Sequence, residues 1–260
     1  MDKVSRTLYI PLYGKAYVSR SGLLLEDKKA EEIWEKEGFP LSGKAKSKWL
    51  AYYMGMRSAV FDRWTKRQME LLPDAVILHV GCGMDSRCIR VGRKDRQWFD
   101  VDFPEVIAER KKYFEQTDTY HMIASDIREE GWLNEIPSGK PVVIVMEGVS
   151  MYLQRPELKA VLKRWKKQFG EVRILMDAYT VFAAKATKYK NPINEVGVSQ
   201  VFGFDDPRLP EEGTGVAFVQ EHSLTPDWLI ARLPKGEQRF FKTIFAGKMA
   251  KKIYRLYEYQ

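Results

Sequence analysis

The stretch VILHVGCGMDSRCIRV, residues 76–91, is an apolar pentad that runs into a loop with two glycines and an aspartate. A short apolar run bounded by turn residues is the pattern of a strand buried on both faces. Gly81 and Gly83 carry no Cβ, so the chain leaving that strand can turn sharply and let a ligand approach its backbone. Such a loop could cradle a phosphate, a dinucleotide or a ligand with no phosphate at all.

Its neighbours narrow the choice. A phosphate loop ends in Gly-Lys-Ser/Thr, whereas Gly83 is followed by Met84, Asp85 and Ser86, with no lysine to meet a β- or γ-phosphate. The dinucleotide fingerprint wants a third glycine where Ser86 stands, and Asp85 puts negative charge where a pyrophosphate would collect. A nucleoside ligand without phosphate remains, and S-adenosylmethionine is the common one. Its ribose hydroxyls call for a carboxylate at the end of the second strand, and Asp102 lies 21 residues beyond Gly81. Asp100 shares its side of the strand and is the reserve. The competing role for either aspartate is to cap the helix that begins at Phe103-Pro104.

Further out, apolar runs alternate with amphipathic stretches, the βαβ rhythm of a parallel, doubly wound α/β sheet. The predicted strands are 76–80, 97–101, 120–125, 142–146 and 172–177, with two late ones at 216–224 and 252–259 that bring the sheet to seven. Residues 103–116 and 155–169 have helical periodicity, each with a proline near its first turn. A short helix is expected with Thr225 as its cap, and another near 236–249. Ahead of the sheet, residues 46–72 place Trp49, Tyr53, Met56, Val60 and Trp64 on one helical stripe ending at Pro73. We therefore expect a helical N-terminal cap over residues 1–72 and a ligand-binding core over 73–260. Within that core, 179–215 is too long and too apolar for a simple connection and is a candidate substrate-covering insertion.

Composition excludes several classes. No apolar run approaches the roughly 18 residues of a membrane span, and the N-terminus lacks a signal-like apolar core, so a cytoplasmic protein without a membrane partner is expected. Two cysteines, Cys82 and Cys88, cannot build a disulfide framework or a multi-cysteine zinc site, and the three histidines lack metal-ligand spacing. No metal is predicted. A net charge of +8 invites acidic partners or nucleic acid. However, Lys159, Lys163, Lys166 and Lys167 lie opposite an apolar helical stripe, as on a solvated face, which argues against a nucleic-acid surface.

Other strand ends add candidates. Asp126 could bind an adenine amino group while Ile127 lines the ring, although a plain turn would use the same residues. Glu147, leaving a buried strand at the carboxyl edge of the sheet, faces the ligand crevice and could accept from the cofactor's amino group. Arg57, beside the apolar stripe of the cap helix, is a candidate partner for the cofactor's carboxylate or a salt-bridged surface residue. Tyr152 is a candidate for lining the acceptor pocket or for core packing.

Taken together, Arg57, VILHVGCGMDSR, WFDVDFPEV, ASDIRE and VMEGVSMYL, in this order and spacing, resemble the leucine carboxyl methyltransferase family, bacterial polyketide-type O-methyltransferases included. The likeness spans residues 8–180 and implies a class I, Rossmann-like, S-adenosylmethionine-dependent methyltransferase. It would give Arg57 and Lys15 the methionine carboxylate, Gly81 and Gly83 the methionine backbone, and Asp102 the ribose. Asp126 and Ile127 would meet the adenine, Glu147 the amino group, and Arg128 a substrate carboxylate. The chemistry expected is transfer to a carboxylate or phenolic oxygen of a small molecule or peptide C-terminus, since no histidine is placed to deprotonate an alcohol. An RNA methyltransferase and a catalytically silent nucleoside-binding protein are the rivals. Neither the acceptor nor the oligomeric state is legible.

Overall fold

The computed structural model describes residues 8–39, 41, 43–92, 96–186, 200–247, 250 and 252–260. Helices α1 (Tyr9–Arg20), α2 (Lys28–Glu37) and α3 (Lys48–Leu71) precede the sheet. Ser47 opens α3 by accepting from Leu50 N at 3.2 Å, and Met56, Val60 and Trp64 of the predicted stripe are buried. Strands follow at β1 (Val76–Val80), β2 (Trp98–Asp102), β3 (Tyr120–Ala124), β4 (Val142–Met146), β5 (Val172–Tyr179), β6 (Phe218–His222) and β7 (Tyr254–Tyr259). Between them lie α4 (Arg87–Arg90), α5 (Pro104–Arg110), α6 (Arg155–Phe169), α7 (Val181–Ala186), α8 (Asp227–Ile230) and α9 (Lys235–Phe245).

The seven strands form one sheet in the order β3-β2-β1-β4-β5-β7-β6, parallel from β3 through β5, with β7 antiparallel to both its neighbours. Alternation sends Val76, Leu78 and Val80 to the face packed by Trp165 and Leu162 of α6, and Ile77 to the face packed by α1 and α3. Because the chain winds outward from β1 in one direction and then returns to β4, the crevice above the carboxyl ends of β1 and β4 is left open to a ligand.

Two expectations need local correction. The predicted helix 103–116 stops at Arg110, whose side chain turns inward to donate to the Gly83 carbonyl at 2.9 Å and to Asp100. Thr225 caps nothing: α8 begins after Pro226, with no side-chain cap. Of the predicted insertion 179–215, residues 187–199 lie outside the described residues. Among the described residues no helix is long and apolar enough to cross a membrane.

Candidate active site

A cavity of about 820 Å³ opens above the carboxyl ends of the parallel strands. It is lined by Lys15, Arg57, Gly81, Gly83, Asp102, Asp126, Ile127, Arg128, Glu147 and Tyr152, all singled out from the sequence, but not by the reserve candidate Asp100. They come from α1, α3 and the ends of β1 to β4, elements far apart in sequence that the winding of the sheet brings to one edge.

The glycine loop is built as its composition suggests. Gly81 and Gly83 sit at φ +63° and +50°, in the left-handed region. Gly81 N donates to Val101 O at 2.8 Å, which seats the turn on β2. A Cβ on Gly81 would lie 2.2 Å from Val149 Cγ2. We therefore expect Gly81→Ala to cost about 2–4 kcal/mol from the left-handed backbone and the clash together. A urea unfolding curve checks this. Adding Val149→Ala recovers only the steric part, so full recovery would show that the backbone conformation carries no strain.

Asp102 is half-buried, its Oδ2 accepting from Gly83 N at 2.7 Å and its Oδ1 from Phe103 N at 2.8 Å. It ties the loop to β2 and does not cap α5. Burial pushes its pKa up to about 6, against the lowering effect of those two backbone donors. The reserve candidate Asp100 is spent elsewhere: fully buried, it accepts from Trp98 Nε1, Tyr120 and Arg110, and it does not line the cavity.

Beside the loop lies a buried charge network. Lys15 pairs with Asp85 at 2.8 Å, and Arg90 bonds Asp85, Asp62 and Asp27. Arg87 bonds Asp62 and Glu147. Arg57 is not a surface residue: Nε donates to Glu147 at 2.9 Å, and Nη1 to Tyr254 Oη at 3.0 Å and Asp177 at 3.3 Å. Its Nη2 makes no hydrogen bond among the described residues. Burial pushes Glu147 upward, but the charges of Arg57 and Arg87 outweigh it and hold the carboxyl low. For Asp177 burial wins, and its pKa rises to about 6. Arg128 spends its guanidinium on Asp126 through Nε and Nη2 and on Glu157 through Nη1, so gripping an acceptor carboxylate would require it to release a partner.

Sequence reasoning missed Asp62, Arg87, Arg90, Asp177 and Tyr254. Asp177 carried a usable signal, since VRILMD ends in a carboxylate just as VVIVME does. Cys82 and Cys88 are buried, and burial raises the Cys82 thiol well above its ordinary range. No group of three or more His, Cys, Asp or Glu residues able to hold a metal occurs among the described residues.

The model of the leucine carboxyl methyltransferase family matches residues 7–166, more than half of the sequence. The chain belongs to the leucine carboxyl methyltransferase family. The tetracenomycin polyketide synthesis O-methyltransferase TcmP of Streptomyces glaucescens is 29% identical over 224 residues, covering 85% of this chain and 83% of that one. The S-adenosyl-L-methionine-dependent methyltransferase dpfgK of Gibberella zeae is 26% identical over 225 residues, covering 78% and 76%. Among solved structures, magnesium protoporphyrin IX methyltransferase from Synechocystis PCC 6803 with bound SAH shares the fold at a TM-score of 0.52 and 10% identity over 98% of each chain. A DUF574 family protein from Streptomyces avermitilis does so at 0.56, with 10% identity over 90% of this chain and 89% of that one. This leucine carboxyl methyltransferase family member is thus an S-adenosylmethionine-dependent methyltransferase, with the seven-stranded fold of its class.

The cavity's donor set fits that cofactor. Among the described residues Arg57 Nη2 has no hydrogen-bond partner, and a Cβ added at Gly148 would lie 3.7 Å from the guanidinium. Lys15 uses one of an ammonium's three donors on Asp85. The Asp102 carboxylate has lone pairs left for hydroxyl donors, and Ile127 and Val149 offer apolar surface for a base.

Proposed function

We propose that the protein transfers a methyl group from S-adenosylmethionine to a carboxylate or phenolate oxygen of a small molecule. The observation that carries this is the state of His79, the one histidine among the described cavity-lining residues. It is buried, its Nε2 faces Arg87 Nη1 at 3.1 Å, and burial lowers its pKa. An acceptor that arrives already ionised needs positioning and no base. The names of the O-methyltransferase and S-adenosylmethionine-dependent relatives support the same chemistry.

In this proposal Lys15 and Arg57 hold the cofactor's carboxylate, Glu147 accepts from its amino group and Asp102 from its ribose hydroxyls. Asp126 and Ile127 meet the adenine, and Arg128 positions Asp126. The loop at Gly81 and Gly83 meets the methionine backbone, and Tyr152 borders the acceptor. The bound cofactor supplies a sulfonium methyl, so an O–C bond forms as the C–S bond breaks and its electron pair stays on sulfur. The test is transfer of labelled methyl to benzoates, phenols and aliphatic alcohols: turnover confined to alcohols would overturn the proposal.

A pH dependence follows from Asp102. Accepting from ribose requires the ionised form, so S-adenosylhomocysteine affinity should fall as pH drops below about 6, by up to about tenfold per unit. Calorimetry between pH 5 and 8, as an order-of-magnitude range for this titration, checks it. Asp102→Asn should flatten the profile, leaving any residual slope to Asp177.

A further inference from the structure

A second cavity, of about 610 Å³, shares no lining residue with the first. Three segments converge on it: the connection between α1 and α2, the exposed face of α3, and α8 with the turn that follows. From α3 come Arg63, Lys66, Arg67 and Glu70, whose three- and four-residue spacing sets them on one side of the helix. Arg67 is paired with Glu70 at 3.5 Å, and the buried Asp62 is paired with Arg90 at 2.8 Å. Arg63 and Lys66 are exposed and make no hydrogen bond or ion pair among the described residues. Arg232, after α8, donates to the Leu24 carbonyl at 2.7 Å and has no carboxylate partner among the described residues. Arg63, Lys66 and Arg232 are thus left facing one concavity against Glu26, the remaining carboxylate of the lining. Such uncompensated like charge favours an anion. Beside it Trp228 is 42% exposed, with the Arg63 guanidinium 4.9 Å from its ring centroid, so flat apolar surface adjoins the cations. Leu24 is buried yet holds φ +61°, the one non-glycine residue at positive φ among the described residues, a strained conformation of the kind found at ligand clamps.

We propose that this second cavity binds a phosphate monoester that carries a planar ring. A phosphate monoester brings a charge of about −1.5 to −2 at pH 7, which matches Arg63, Lys66 and Arg232 set against Glu26, whereas a monocarboxylate would leave part of that positive charge unmet. Its oxygens can accept from two guanidinium forks and an ammonium, and the ring has the exposed indole of Trp228 to lie against. The volume falls within the roughly 300–1,000 Å³ of small-molecule sites. A run of nucleic acid fits less well, because Glu26 and Glu70 stand in the same wall and would repel successive phosphates. The two cavities have no residue in common, so the site stands independently of the methyl-transfer function proposed above.

Calorimetry on the full-length protein tests this with adenosine 5′-monophosphate, adenosine and inorganic phosphate as probes. The protein is first saturated with S-adenosylhomocysteine, so that no adenosine group can enter the cofactor cavity. The monophosphate should bind at one per chain, at least about tenfold more tightly than adenosine, which lacks the charge, or inorganic phosphate, which lacks the ring. Lys66→Glu should weaken monophosphate binding by about tenfold or more, and Trp228→Ala by about fivefold or more. Both substitutions should leave S-adenosylhomocysteine affinity within about twofold, since neither residue lines the cofactor cavity. Both side chains are exposed, so neither substitution threatens folding. Monophosphate binding that is no tighter than adenosine binding, or that is unmoved by both substitutions, overturns the site. So does a single-stranded RNA oligomer that binds at least about tenfold more tightly than the monophosphate and loses that affinity in Lys66→Glu, because the basic face would then belong to nucleic acid.

Discussion

Asp102→Ala is expected to weaken S-adenosylhomocysteine binding by about 100-fold or more, and Asp102→Asn by about tenfold. Each hydrogen bond to a charged acceptor is worth about 1.5–3 kcal/mol, and the carboxylate serves two ends at once. On the cavity side it would accept from the ribose hydroxyls. On the protein side it holds Gly83 N at 2.7 Å and Phe103 N at 2.8 Å, fixing the glycine loop against β2. Alanine removes both functions and orphans two backbone donors. Asparagine keeps one acceptor oxygen, so part of the loop survives while the second oxygen becomes a donor group facing another donor. Calorimetry measures the affinities, and thermal melting without ligand isolates the structural share. If Asp102→Ala binds S-adenosylhomocysteine within twofold of the wild type, Asp102 is only a loop anchor.

The same aspartate shows how much of this protein can be read from its residues. Its position depends on local rules: an apolar strand, a glycine turn and a carboxylate about 20 residues on. Such rules also placed all seven strands, because buried pentads such as VILHV and VVIVM have no charged residue to confuse the pattern. Once the strands are parallel, their carboxyl ends meet, so residues chosen singly at Gly81, Asp102, Asp126 and Glu147 had to share one cavity. Partnerships were not legible. Nothing local joins Asp62 in the middle of α3 to Arg87 and Arg90 on a four-residue helix; only the docking of α3 against the sheet edge does. The early end of α5 was hidden for the same reason, since Arg110 reads as one more exposed basic residue until its partner Asp100 is known.

Arg87→Met should destabilise the fold by about 3–5 kcal/mol, the cost of stranding buried charges after their partner is removed. Arg87 is wholly buried, with its guanidinium 5.3 Å from the Phe61 ring centroid. It donates to Asp62 at 2.8 Å and to Glu147, and stands 3.4 Å from Asp85. Methionine fills comparable space but leaves those carboxylates short of one positive charge. The pH dependence carries the sign. In the wild type, burial raises Glu147 and Asp85, but Arg57 and Arg87, and Arg90 and Lys15, more than offset it. Their depressed pKa values stabilise the fold above the ordinary carboxylate range and lose that contribution as pH falls. Without Arg87 the carboxylates protonate more readily, so the deficit should be greatest near pH 7 and shrink toward about pH 4. Denaturant midpoints at several pH values measure this. Arg87→Met combined with Glu147→Gln should recover part of the loss, because the second change removes one of the stranded charges. A deficit that stays constant with pH and is not relieved by Glu147→Gln would instead mean that Arg87 stabilises the fold by packing alone.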